Sequence, residues 1–296
     1  MIATLLVTSL ATFAPQDVSS SMSAPASYVA GTSYTVEVVH TTGSEGATVD
    51  AWRLSTAVLE VDGKPLGERA AGQLSLPPNS TVTMSLDVTS MVPSKPFTLT
   101  MAGGETKQAV EVFEPVPEGL NFMEMPAEEL GKYQVLLVTN KGNMRVEFLP
   151  EKAPNHVRNF LDLSYSGFYD GILFHRVSPS FMIQGGCPNT KTANRGSWGT
   201  GRGPRMLDAE FNDTKHVRGI LSMARGGSPN SASSQFFVMT KDSLFLDNQY
   251  SAFGRLLSGW DALDSIAKAN GQRGPDGTVK PTDPQRIEKA VVLLAD

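Results

Sequence analysis

One short stretch, Phe174-His175-Arg176-Val177-Ser178-Pro179-Ser180-Phe181-Met182-Ile183-Gln184-Gly185-Gly186, crowds together a guanidinium, an imidazole, large apolar side chains and an amide. Arg176 presents its donors as a flat, permanently charged fork. Phe181 and Met182 add apolar surface, Gln184 adds an amide, and His175 has an unperturbed pKa near ~6.5, where proton transfer is accessible. Such a set could grip a polar planar group against an apolar wall, or move a proton. Gly171 precedes the stretch and Gly185-Gly186 closes it, so it reads as a strand, a turn at Ser178-Pro179-Ser180, and a second strand. Alternation sends Met182 and Gln184 to one face and Phe181 and Ile183 to the other, with a bend at the turn able to return Phe181 beside Met182. Taken alone, the stretch is also what an ordinary barrel hairpin looks like.

A second stretch alters that balance. Gly219-Ile220-Leu221-Ser222-Met223-Ala224-Arg225 runs on to Pro229-Asn230-Ser231-Ala232-Ser233-Ser234-Gln235-Phe236-Phe237-Val238. The two together resemble the signature of the cyclophilin-type peptidyl-prolyl cis-trans isomerases, over roughly Lys132 to Asp296. The resemblance implies an eight-stranded antiparallel barrel capped by two helices, and rotation about Xaa-Pro bonds of proline-containing polypeptides as a folding helper. That bond turns over a barrier of ~18–20 kcal/mol, because amide resonance must be broken. A catalyst need only bind the twisted amide better than either planar form.

By this resemblance Arg176 is the catalytic donor, serving the carbonyl oxygen and the prolyl nitrogen. Phe181, Met182, Phe237 and Leu246 form the proline socket. Gln184 orients Arg176 or the substrate carbonyl, and Ala224, Arg225 and Gln235 hold the peptide extended. His175 flanks the site as a shape and hydrogen-bond residue, since the reaction moves no proton. Three positions depart from the best-known eukaryotic pattern and are similar to bacterial members: Arg225 where Asn is usual, Phe245 where Trp is usual, and Tyr250 where His is usual. Phe245 keeps apolar area but lacks the indole N–H, which puts tight cyclosporin binding in doubt. No cofactor or metal is implied. The competing reading is a non-catalytic module that recognises proline-containing segments with the same socket.

The elements around these residues follow the same order. Tyr133–Val138 and Met144–Phe148 read as a hairpin around Asn140-Lys141-Gly142-Asn143. Pro154 suits an opening helical turn, with Val157, Phe160, Leu161 and Leu163 at helical spacing up to Gly167. Trp260 to Ala269 reads as an amphipathic helix and Ala290 to Leu294 as a closing strand. The glycines of 194–204 do not follow a phosphate-cradle spacing and Pro204 interrupts them, so a flexible surface loop is expected.

The whole chain has 296 residues and a net charge of −5, unevenly spread. Met1 to Gly131 holds 5 basic and 15 acidic residues, and the remainder 20 basic and 15 acidic. That step supports a boundary near 130, and the mild basicity beyond it argues against nucleic acid. Cys187 is the sole cysteine, so no internal disulfide forms and no cysteine metal site exists; it reads as incidental. No apolar run reaches the ~18 residues of a membrane span.

Residues 1–14 form a short apolar run of the length of a secretory h-region, although no Lys or Arg precedes it. Export to the periplasm or outside is therefore expected, the alternative being a buried first strand in a cytoplasmic protein. Residues 1–30 are assigned to this segment and a Ser/Ala/Pro-rich linker. From 31 to 117, five or six short strands with turn chemistry between them predict an immunoglobulin-like β-sandwich of unknown partner, an accessory domain without a chemistry-bearing cluster. Residues 118–131 read as a linker and 132–296 as the isomerase domain. The fold class is thus dominated by β-structure throughout.

Overall fold

The computed structural model describes residues 18–24, 27–30, 33–102, 107–274 and 278–295. The apolar run 1–14 lies outside them. Contacts divide the chain into two units, Met1–Phe113 and Glu114–Asp296.

The first unit contains β1 (Val18–Ser23), β2 (Ser27–Val29), β3 (Thr35–Thr42), β4 (Ala47–Asp50), β5 (Leu59–Val61), β6 (Lys64–Pro65), β7 (Gln73–Leu76), β8 (Thr81–Asp87), β9 (Phe97–Met101) and β10 (Lys107–Phe113). They form an antiparallel sheet β1-β3-β8, a sheet β2-β10-β9-β5-β6, and a β4-β7 ribbon. Alternation along β3 buries Val36, Val38, His40 and Thr42. Val36 and Val38 share one core with Leu59, Phe97, Leu99, Met101 and Val110 of the second sheet. Two expectations are corrected here. Residues 18–23 and 27–29 are strands rather than linker: β1 pairs with β3, and β2 runs parallel to β10. Thr56–Val58, where the run Thr56-Ala57-Val58-Leu59-Glu60-Val61 predicts the start of one of the short strands, is a 3₁₀ turn, and the strand begins at Leu59.

The second unit contains α1 (Ala127–Leu130), β11 (Tyr133–Thr139), β12 (Gly142–Phe148), α2 (Pro154–Tyr165), β13 (Arg176–Val177), β14 (Met182–Gly185), β15 (Ile220–Met223), β16 (Phe236–Met239), β17 (Ala252–Ser258), α3 (Trp260–Ala267), β18 (Gly271–Arg273), β19 (Val279–Pro281) and β20 (Ile287–Leu294). Its strands join in one sheet, β18-β19-β13-β14-β16-β15-β17-β12-β11-β20. The expected closed eight-stranded barrel is corrected to this open ten-stranded sheet. Isolated hydrogen bonds from Gly171 N–H to the Ile287 carbonyl and from Phe174 N–H to the Gln285 carbonyl, each 2.8 Å, tie the approach to β13 to β20. No ladder continues through them among the described residues.

Residues 118–131, expected as a linker, belong to this unit. Phe122 and Leu130 are fully buried in its core, and Val116 N–H donates to the Val292 carbonyl at 3.0 Å. Helix α2 opens at Pro154 with no capping side chain of its own. The Glu210 carboxylate caps it instead, accepting from Asn155 N–H at 3.1 Å and His156 N–H at 3.0 Å. The helix drives Phe160 among Phe148, Tyr169, Phe236 and Phe253, with ring centroids 4.9 to 5.7 Å away. Truncating such a ring to Ala costs about 3–5 kcal/mol. No helix among the described residues is long and apolar enough to cross a membrane.

Candidate functional site

Strands β13 and β14 pair for two rungs only, Arg176 opposite Gln184 and Val177 opposite Ile183. Ser178 N–H closes the turn on the Met182 carbonyl at 2.8 Å. The pleat then sorts the side chains: Val177 and Ile183 enter the main core, whereas Met182 joins Phe237 and Leu246 in a separate apolar cluster. Phe181 sits in the turn, outside the β14 ladder, so it returns to the Met182 side instead of following Ile183.

On that side the rungs place polar groups in a chain. Arg176 Nη1–H donates to Gln184 Oε1 at 2.9 Å, and Nε–H donates to Thr278 Oγ1 at 3.0 Å. Gln184 Nε2–H donates to Gln235 Oε1 at 3.1 Å. Gln235 in turn donates to the carbonyls of Gly199 and Gly201, at 2.9 and 2.8 Å. The Arg176 guanidinium also lies 6.0 Å from the Phe181 ring centroid.

A cavity of about 250 Å³ lies over this chain, lined by Arg176, Phe181, Met182, Gln184, Ala224, Arg225, Phe237, Phe245, Leu246 and Tyr250. Phe237 and Leu246 are buried, and the exposed Phe245 ring stacks on Phe181 with centroids 5.8 Å apart. Tyr250 meets Phe237 edge-on at 5.6 Å and carries the Arg225 guanidinium over its face at 4.8 Å. Ala224 N–H donates to the Gln235 carbonyl at 2.8 Å. Two guanidinium groups, one amide and a ring of apolar surface thus face a space of the size of a small cyclic side chain and its flanking amides.

Two of the sequence-derived site residues lie outside this lining. Gln235 sits behind Gln184, holding it. His175 is buried under Gly199, its backbone N–H donating to the Gln184 carbonyl at 3.1 Å. Burial holds its imidazole pKa down to about 4, opposed weakly by the Leu173 carbonyl and the Gln235 side chain and reinforced by the nearby Arg176 charge. The ring is therefore neutral at pH 7.

The profile of the family described as cyclophilin type peptidyl-prolyl cis-trans isomerase/CLD matches residues 134–292. The chain belongs to this family. Its cyclophilin unit has isomerase relatives on both sides of the prokaryote boundary. A probable peptidyl-prolyl cis-trans isomerase of Brucella abortus is 40% identical over 163 residues, covering 53% of this chain and 81% of its own. The peptidyl-prolyl cis-trans isomerase ppi1 of Schizosaccharomyces pombe is 40% identical over 166 residues, covering 54% of this chain and 98% of its own. A solved cyclophilin type isomerase of Cryptosporidium parvum is 32% identical, with 55% of this chain and 99% of that one covered and a TM-score of 0.49. The protein is a peptidyl-prolyl cis-trans isomerase, a rotamase, and needs no proton transfer or covalent intermediate to act.

The structure adds site residues that sequence reasoning did not reach. Thr278 holds Arg176 from 102 positions away. Behind Phe237 the His216 ring stacks at 6.2 Å between centroids, linked to Asp247 Oδ1 at 3.1 Å and Ser222 Oγ at 3.1 Å. No local signal marks these, because each is defined by a contact across the sheet. The glycine loop read as a flexible surface segment is held on both sides: Gly199 and Gly201 take the Gln235 amide on their carbonyls and give their N–H groups to buried Cys187 Sγ, at 3.2 and 3.3 Å.

Proposed function

We propose that isomerisation runs in the cavity over β13 and β14, with Arg176 as the catalytic donor and Phe181, Met182, Phe237 and Leu246 as the proline socket. The observation that carries this reading is the tethered guanidinium: two side-chain acceptors fix Arg176 on the wall that faces the apolar cluster. Twisting the amide withdraws its resonance and leaves a pyramidal nitrogen with a lone pair. A fork of donors fixed before the substrate arrives binds that state better than either planar form, with no reorganisation at the moment of rotation. Bringing a process of tens of seconds to milliseconds takes about 10⁴-fold, or roughly 5.5 kcal/mol. A charge-assisted bond in a largely dry site supplies that order.

The test is cis-trans exchange of an Ala-Xaa-Pro peptide followed by NMR, with the wild type beside Arg176→Ala. Exchange that collapses in the variant while its circular dichroism is unchanged supports the assignment. Undiminished exchange in the variant overturns the role of Arg176. Peptide shifts that move with no acceleration by the wild type would favour a binding module instead.

The first unit is read as an immunoglobulin-like accessory sandwich, supported by two sheets sharing one core and by the parallel β2–β10 pairing. A different strand order in an experimental structure of the full chain would remove that reading. The apolar run 1–14 supports export, and an intact Met1 on the protein recovered from its natural host would count against it.

A further inference from the structure

A second cavity of about 290 Å³ adjoins the first and shares Gln184, Ala224 and Arg225 with it. Its remaining wall includes Gly199, Gly201, Arg202 and Ser231. Neither lining contains an aspartate or glutamate, although the chain as a whole is acidic. Three arginines therefore face the pair of cavities: Arg176, Arg225 and Arg202.

The arginines nearest the second cavity are not neutralised within the unit. Arg225 is held by carbonyls, Nε–H on Gln249 at 3.2 Å and Nη1–H on Gly226 at 3.0 Å, and by the rings of Tyr250 and Phe211. Its Nη2 donors have no partner among the described residues. Exposed Arg202 has no ion pair or hydrogen bond among them either. Four carboxylates of the surrounding segments are occupied elsewhere: Asp162 by Arg205, Glu210 by His156, Asp213 by Lys152, and Asp247 by His216 and Lys215.

We infer that this isomerase prefers proline segments carrying an acidic side chain two residues from the proline, with Arg202 and Arg225 as the specificity-determining pair. In an extended peptide residues i and i+2 face the same way, about 6.6 Å apart at ~3.3 Å per residue. A proline in the first cavity thus delivers that neighbour to the second. There a carboxylate meets two guanidinium groups whose planar forks match it, one of them already immobilised by stacking. The contact is made equally before and during rotation, so it lowers KM and leaves kcat nearly constant.

This inference rests on the isomerase reading of the first cavity, and the experiment separates the two. Exchange NMR on the full chain compares three peptides with Glu, Ala or Lys placed two residues before the proline, and a second set with the change two residues after it. The expected result is a kcat/KM about tenfold higher for Glu than for Lys in one of the sets, carried by KM and diminished by added salt. In Arg202→Glu the Glu-to-Lys ratio falls to one or inverts; being a ratio on one protein sample, it is insensitive to the amount folded. Equal rates on Glu, Ala and Lys peptides in both sets overturn the preference and leave the isomerase reading intact. No acceleration of the Ala peptide overturns the isomerase reading and this inference with it. Should Arg202→Glu fail to fold, a wild-type Glu-to-Lys ratio unmoved between low and high salt overturns the arginine pair by itself.

Discussion

Arg176 is aimed by Thr278: Nε–H donates to the threonine Oγ1 at 3.0 Å, from the segment leading into β19, on the side of the guanidinium away from Gln184. Two acceptors, one on β14 and one in the segment before β19, leave a long side chain little rotational freedom, and that ordering is made before substrate binds. Thr278→Val keeps the shape and removes the acceptor. It is expected to lower kcat about tenfold with a smaller change in KM, and Thr278→Ser is expected to restore most of it. Exchange NMR on both variants decides the matter; equal kcat in the Val variant and the wild type would mean that Gln184 suffices.

Acid should weaken the cyclophilin unit well before its carboxylates titrate. His175 has its folded pKa near 4 against an ordinary 6.5, so between these values the unfolded chain binds the additional proton. The stability is fully present above pH 6.5 and is lost as pH falls toward 4, by ~3 kcal/mol at most for this one group. Buried His216, also lowered mainly by burial, acts in the same direction. The lowered carboxylates Glu210, Asp247 and Asp264 add their loss only below the ordinary carboxylate range. Urea midpoints between pH 7 and 4.5 should fall for the wild type and flatten in a His175→Gln variant that still folds. An unchanged slope would assign the loss elsewhere.

Asp247 serves His216 twice, taking its backbone N–H at 2.9 Å and its ring Nδ1 at 3.1 Å. Asp247→Ala leaves both buried groups without a partner, a cost of about 2–3 kcal/mol. Because the imidazole backs Phe237, the variant should also show a raised KM for proline peptides. Chemical denaturation reads the first effect and exchange kinetics the second; a loss of stability with KM unmoved would limit His216 to a structural part.

Gly186 ends the stretch at φ +84°, and a Cβ there would lie 2.2 Å from the Ser234 carbonyl oxygen. Backbone meets backbone, so no side chain can yield. Gly186→Ala is expected to cost about 3 kcal/mol or more and to separate β14 from the start of β16. Gly171→Ala, also at positive φ but with open space around it, should cost less. Melting temperatures that rank the two variants the other way would remove the close-approach argument.

What the chain determines locally was legible in it. Arg176 and Gln184 lie eight residues apart around a Ser-Pro-Ser turn, and a two-rung hairpin makes them neighbours whatever else the fold does. The helices at Pro154 and Trp260 and the apolar alternation of β3 are likewise local periodicities. They record which face of a segment avoids water, and hence which side chains can share a cavity.

Periodicity does not record what covers that face. The serine-rich segment 18–23 has too little apolar contrast to announce a strand, and becomes one because β3 presents a free edge to it. Residues 118–131 read as a linker by their proline and acidic content, yet Phe122 and Leu130 gain more from burial than the segment loses in freedom. The strand order of the open sheet, the Thr278 tether, the Glu210 cap on α2 and the placing of Arg202 and Arg225 on the wall of one cavity all bring together residues far apart in sequence. Such contacts exist only once the strands have chosen partners, and that choice is made by the packing of the whole unit.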